Sequence, residues 1–302
     1  MSTSPMTKRV GIVGMGLMGQ AFIANLQRAQ FSVQGYDPDS DRMDQLRDQG
    51  GEAVATPADV AKGVDCVIAS LPTADIAREA LLGAGGIAEG AAEGLYVCDT
   101  TTARPEISEQ TFKDLADKGI RYLDSAISGT SAMAHERDTI VIAGGREEDF
   151  EACKPVFEAI ARAAYYMGPA GSGSRTKLVI NLVLSGNRLA LAEGLVMGEK
   201  AGLETTNLLE VLKDGASYSK TMNDKGPKVL SGNYTADSFV RSSLKDARLM
   251  LEMGQKVGAP TLMIGTWAQL LQAACEKGLS EKDTMVFFEV LRSMAGLEDR
   301  DI

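Results

Sequence analysis

The segment RVGIVGMGLMGQAF, Arg9 to Phe22, limits what this chain can fold into more than any other. A β-branched run ends on Gly14, glycines recur at Gly16 and Gly19, and a helical pattern opens at once. In a strand-to-helix turn with that spacing, the first glycine permits the tight bend and the second lets a pyrophosphate approach the backbone. The third lets helix and strand pack closely. Phosphates would rest on the free N–H groups that begin the helix, those of Leu17, Met18 and Gly19, favoured by the helix dipole. Alone, the glycine pattern also fits a plain tight turn.

The stretch VQGYDPD ends the next presumed strand on Asp37. A carboxylate there can accept both ribose hydroxyls of an adenosine and repels a 2′-phosphate, with Asp39 and Asp41 adding to the field. Arg42 is the only nearby cation and reads most simply as a solvated residue at a helix start. The pattern predicts NAD in preference to NADP.

From Arg9 to about Met167, the runs FSVQGYD, DCVIASLP, LYVCDT, RYLDSAIS and TIVIAGG alternate with longer helical patterns. That alternation predicts an α/β architecture: a Rossmann-type, doubly wound, mainly parallel sheet with helices on both faces. After YYMGPAGSG the pattern is helical throughout. We place the boundary near Gly168-Pro169, with residues 1–167 a dinucleotide-binding domain and residues 168–302 an all-α domain for substrate binding and dimerisation. A length of 302 residues suits two such domains.

A net charge of -10 argues against a nucleic-acid partner. Cys66, Cys98, Cys153 and Cys275 show neither CxxC nor His-paired spacing, so no metal site or disulfide framework is expected, and a reducing cytoplasm is the simplest compartment. The first residues lack the apolar core of an export signal. The longest apolar run, about Leu178 to Gly198, is interrupted by Asn181, Asn187, Arg188 and Glu193; it reads as a buried helix, not a membrane span.

That run begins GSGSRTKLVIN, Gly171 to Asn181. Ser172 or Ser174 can cap a helix, while Gly171 and Gly173 would leave its first turn open to close approach. Lys177 and Asn181 stand four apart, on one face, among apolar neighbours. Desolvation can bring such an amine into the range useful for proton transfer. Hydride removal from a carbinol needs a base for the hydroxyl proton, and the reverse reaction needs the matching acid. From spacing alone, a lysine that snorkels or pairs with a buried carboxylate is an equal alternative.

Over nearly its whole length the chain resembles the β-hydroxyacid dehydrogenase family. The family's GxGxxxKxxxN motif is met by Gly171, Gly173, Lys177 and Asn181, which implies Lys177 as general acid/base and Asn181 as a substrate contact. Leu71-Pro72 and Thr102, in DTTTARP, match positions that pass the dinucleotide. SFVRSSLKDARLML implies Phe239 as a wall of the substrate pocket and Lys245 as a contact on the cofactor side. In DSAISGTSAMAHERD, the family's carboxylate-gripping D-A-P-V-S-G-G is met at Asp124, Ser128 and Gly129. Ala126 replaces Pro, Thr130 replaces Gly, and Met133 and Arg137 stand at two further glycine positions. Thr130 would narrow the space over the substrate and offer it a hydroxyl, or the loop has re-packed.

The resemblance implies a homodimer or homotetramer that interconverts a small 3-hydroxy acid and its semialdehyde or keto acid. Two alternatives stand beside it. An imine or short-chain semialdehyde reductase of this architecture is one, although imine reductases commonly lack the lysine. A non-catalytic dinucleotide-binding protein, which would need neither Lys177 nor Asn181, is the other. No metal is expected; His135 reads as a solvated loop residue, and Trp267 as a residue of helix packing or a subunit interface.

Overall fold

A computed structural model of the chain describes residues 8–298 and Arg300. The start of the chain, where no export signal is expected, lies outside the described residues as far as residue 7. The chain divides into two compact units, Met1–Lys177 and Leu178–Ile302.

The first unit is built on one sheet of eight strands: β1 (Arg9–Val13), β2 (Ser32–Tyr36), β3 (Glu52–Ala53), β4 (Cys66–Ala69), β5 (Tyr96–Asp99), β6 (Arg121–Ser128), β7 (Ile140–Gly144) and β8 (Ala163–Tyr166). Their order is β3-β2-β1-β4-β5-β6-β7-β8. β1 to β6 run parallel, with Ile12 of β1 opposite Gly35 on one side and Ile68 on the other; β7 runs antiparallel to β6, and β8 parallel to β7. This is the doubly wound sheet the alternation predicts. The short edge strands β3 and β8 add to the six runs visible in the sequence. Chain order reverses between β1 and β4, and in open α/β sheets ligands bind outside the carboxyl ends of the strands at that reversal. Both sheet faces are covered. One carries Phe22, Ile23 and Leu26 of the Leu17–Arg28 helix with Phe150 and Phe157, the other Val60, Leu81, Leu95 and Leu115.

Among the described residues the second unit is helical, apart from an isolated bridge between Phe239 and Asp283. Its core gathers Leu195, Leu209, Leu244, Met250, Trp267 and Phe287. Trp267 is fully buried and meets Phe287 edge-on at 4.7 Å, so it is a packing residue.

The helix Ser172–Lys200 has 29 residues and departs from expectation. An apolar sequence all round predicts burial, yet Val179, Val183 and Met197 are 51%, 55% and 73% exposed. By length and composition alone it could cross a membrane, with a third of its most apolar window buried. Arg188, buried at 9% exposure, and Lys177, Asn181 and Glu193 would be costly on such a helix in lipid.

Candidate active site

Four of the predicted cofactor segments emerge from the carboxyl ends of parallel strands in the first unit. Gly14–Gly19 follow β1, Asp37 follows β2, Leu71-Pro72 follow β4 and Thr102 follows β5. Ser128 ends β6, with Gly129 and Thr130 after it.

The glycines divide their roles as the spacing predicts. Gly14 has φ +91, and a Cβ there would come within 2.3 Å of the Ser70 carbonyl. A Cβ on Gly19 would meet the Gly14 carbonyl at 2.2 Å, so this glycine is fixed by helix–strand packing. Gly16 is different: nothing but Arg42 Nη1, at 3.8 Å, would approach its Cβ. It is the N-cap of the Leu17–Arg28 helix, whose first turn has neither a side-chain cap nor an acidic residue. An open backbone at an uncapped, positive helix end suits an anionic phosphate.

Asp37 is 5% exposed. Its Oδ2 accepts the Met15 N–H at 2.7 Å and Arg42 Nη1 at 3.2 Å, and its Oδ1 accepts the Asp39 N–H at 3.0 Å. The carboxylate is thereby tied to the phosphate turn itself. Arg42 is not simply solvated as its sequence reading suggests: it also pairs with Asp39 at 3.4 Å. Partial neutralisation of the acidic cluster follows, because a guanidinium beside two carboxylates lowers the local negative potential.

Leu71 lies against Gly14, and its N–H reaches Thr101 Oγ1 at 3.3 Å. Asp99, at the end of β5, accepts the Thr101 N–H at 2.9 Å and the Tyr122 hydroxyl at 3.0 Å. Burial pushes its carboxyl above the usual range. Thr102, two residues beyond Thr100, is partly buried.

The start of the long helix is held by a residue that spacing does not reveal. Asp124, inside β6, accepts the Gly171 N–H at 2.9 Å and the Ser174 N–H at 2.7 Å. Burial pushes its pKa up to about 6, against those two hydrogen bonds. Neither serine is needed for the cap: Asp124 takes that part, while Ser174 Oγ lies 2.9 Å from Ser108 Oγ. Nor do the glycines leave room for a ligand. A Cβ on Gly173 would meet the Asp124 carbonyl at 2.1 Å, and Gly171 is left-handed at φ +87 with Glu109 beside it. Helix periodicity sets Gly173, Lys177 and Asn181 in one stripe, so Lys177 rises directly above the glycine that contacts β6. Lys177 is partly buried.

At the end of β6, Gly129 has φ +143 and a Cβ would strike Thr139 at 2.6 Å. Thr130 caps the Ser131–His135 helix, its Oγ1 accepting the Met133 N–H at 3.3 Å. The cap uses one lone pair of the hydroxyl and leaves its O–H proton to donate elsewhere. Arg137, at a position where the resemblance expects glycine, has a left-handed backbone with φ +57. His135 is exposed.

In the second unit, Asn181 Nδ2 donates to Asp246 Oδ2 at 3.0 Å, and Lys245 Nζ lies 3.3 Å from Asp246 Oδ1. The Lys245-Asp246 pair is therefore more than a surface pair, because Asp246 fixes the amide of Asn181. Phe239 is partly buried and its ring is covered by Arg241 at 4.7 Å. The motif match singles out Asp124 but not its hold on the helix start, which no local signal gives, and Asp246 is legible only as part of the KD dipeptide.

Residues 9–168 match the family model described as the NAD binding domain of 6-phosphogluconate dehydrogenase. Residues 171–291 match that described as NAD-binding of NADP-dependent 3-hydroxyisobutyrate dehydrogenase. The chain is 29% identical to 2-(hydroxymethyl)glutarate dehydrogenase of Eubacterium barkeri, over 96% of both chains. It is 28% identical to glyoxylate/succinic semialdehyde reductase 1 of Arabidopsis thaliana, over 94% of this chain and 98% of the relative. The crystal structure of a 3-hydroxyisobutyrate dehydrogenase from Salmonella typhimurium superposes with a TM-score of 0.85 at 25% identity, covering 93% of this chain and 99% of that one. Several other curated relatives are longer, the chain spanning 51% or 52% of their length.

Proposed function

The chain belongs to the β-hydroxyacid dehydrogenase family, an oxidoreductase acting on CH–OH groups with NAD(P), and from that premise we propose that it interconverts a small 3-hydroxy acid and its semialdehyde or keto acid, with Lys177 as general acid/base. One observation carries the proposal. The motif that opens the long helix is locked to β6 by Asp124, in the same unit as the open glycine turn and Asp37.

The dinucleotide would be held by the N–H groups of the Leu17–Arg28 helix start, by Asp37 and by the Leu71-Pro72 and Thr102 segments. When bound, its nicotinamide supplies the hydride acceptor or donor. Lys177 takes the hydroxyl proton in oxidation and returns it in reduction, a role that general acid–base catalysis assigns to a group within hydrogen-bond reach of the reacting oxygen. Ser128 and the Gly129 amide are assigned to the carboxylate; Asn181, its amide fixed by Asp246, is assigned a substrate contact on the family resemblance alone. Thr130 acts through the shape of the loop it caps.

We assign NAD as the preferred coenzyme. Support comes from Asp37, whose carboxylate is anchored by two backbone N–H groups where the adenosine ribose is expected and disfavours a 2′-phosphate. Arg42 offsets part of that repulsion. We further propose a homo-oligomer, supported by the exposed Val179 and Val183 of the long helix, and a reducing cytoplasmic setting, supported by four free thiols.

A panel of small 3-hydroxy acids, each tested with NAD and NADP and followed by absorbance of the reduced coenzyme, tests the proposal. Turnover of none of them in either direction would overturn it.

A further inference from the structure

Three cysteines separated by 32 and 55 residues converge beneath the sheet of the first unit. Cys66 opens β4, Cys98 lies in β5, and Cys153 belongs to the helix Glu147–Ile160 that packs on the same face. In register, Cys66 pairs with Tyr96 and Cys98 with Ile68, so both thiols project from one face of the sheet. Their Sγ atoms are 3.7 Å apart, and the three sulfurs all lie within 4.8 Å of one another. All three residues are buried, at 0%, 1% and 0% exposure.

A metal–thiolate bond of about 2.3 Å sets three sulfurs around a central ion about 4.0 Å apart by trigonometry. The Cys66–Cys98 separation of 3.7 Å is close to that value, and no pair of the three exceeds 4.8 Å. Among the described residues, no fourth Cys, His, Asp or Glu ligand atom shares the cluster. Structural zinc is almost always four-coordinate, whereas a soft monovalent ion is satisfied by thiolates alone. Asp149, one turn before Cys153, is fully buried; its Oδ1 takes Arg121 at 2.7 Å while Oδ2 has no hydrogen-bond partner.

We propose that Cys66, Cys98 and Cys153 form a buried three-thiolate site for Cu(I), a ligand class that no part of the dehydrogenase chemistry requires. Three S–Cu bonds form, the thiols release their protons to solvent, and copper remains Cu(I), so no oxidant or reductant takes part. Cys66 stands at the amino end of β4, whereas the dinucleotide residues follow the carboxyl ends, and the coenzyme site is left free.

The test is an anaerobic titration of the full, reduced chain with Cu(I) against a chromophoric Cu(I) chelator, with X-ray absorption at the copper edge. A single copper per chain should resist the chelator, with three sulfur neighbours at about 2.3 Å. Cys98→Ala should weaken retention by about tenfold or more, Cys275→Ala should not, and NADH binding read by fluorescence should be unchanged by copper. Equal loss of copper from the wild type and Cys98→Ala would overturn the proposal. So would a two-sulfur spectrum, or copper that follows Cys275. Should Cys98→Ala fail to fold, the sulfur count on the wild type decides alone.

Discussion

Asp124 accepts the Ser174 N–H at 2.7 Å, a contact spanning 50 residues that fixes the start of the Ser172–Lys200 helix to the strand ending in the proposed carboxylate site. With the Gly171 N–H on its other oxygen, this side chain holds the turn from which Lys177 rises. Asp124→Ala leaves two buried donors unpaired. Urea unfolding should show a loss of about 2–4 kcal/mol, and an unchanged midpoint would refute the role.

The same carboxylate gives stability a pH dependence. Its folded pKa, about 6, exceeds the ordinary 3.8, so the folded state binds the extra proton between these values. The contribution of Asp124 is thus fully present below about pH 4 and falls as pH rises to about 6, by roughly 3 kcal/mol. Unfolding free energies of wild type and Asp124→Asn, measured from pH 4 to pH 7, should differ by that declining amount. Parallel curves would count against it.

Gly173→Ala and Gly194→Ala form a matched pair on one helix. The first places a Cβ 2.1 Å from the Asp124 carbonyl, the second meets nothing within 4 Å. Thermal melts should show Gly173→Ala destabilised by about 3 kcal/mol or more, and Gly194→Ala stabilised by about 0.5–1 kcal/mol.

Coenzyme choice rests on Asp37. Asp37→Ser removes a charged acceptor and leaves Arg42 facing the ribose end without its main partner. The ratio of kcat/KM for NAD over NADP should fall by about 10–100-fold, and a constant ratio would separate Asp37 from the choice.

Much of this architecture is legible because its signals are local. Gly14, Gly16, Gly19 and Asp37 lie within one βαβ unit, and strand runs between helical patterns announce the sheet. What stayed hidden depends on pairs distant in sequence: Asp124 with Gly171, Asn181 with Asp246, and Cys66 with Cys98 and Cys153. Gly173 shows a different limit, for the residue type was readable but its cause, backbone contact with β6, was not. Hydrophobicity likewise showed that the long helix has apolar surface on every side, but not that Val179 and Val183 would remain exposed.

Asp246 should act through Asn181. Asp246→Ala frees the Asn181 amide, which is expected to raise KM for the hydroxy acid by about tenfold, as loss of a net 1–1.5 kcal/mol would. NADH affinity should stay constant, and a KM that does not move would show that Asn181 is positioned otherwise.

The central claim is that Lys177 moves the proton. Turnover of Lys177→Met should be measured beside its NADH dissociation constant, once a substrate is in hand. The account predicts a fall in kcat of about 10²–10⁴-fold with coenzyme binding preserved; near-normal kcat in a folded, NADH-binding variant would contradict it.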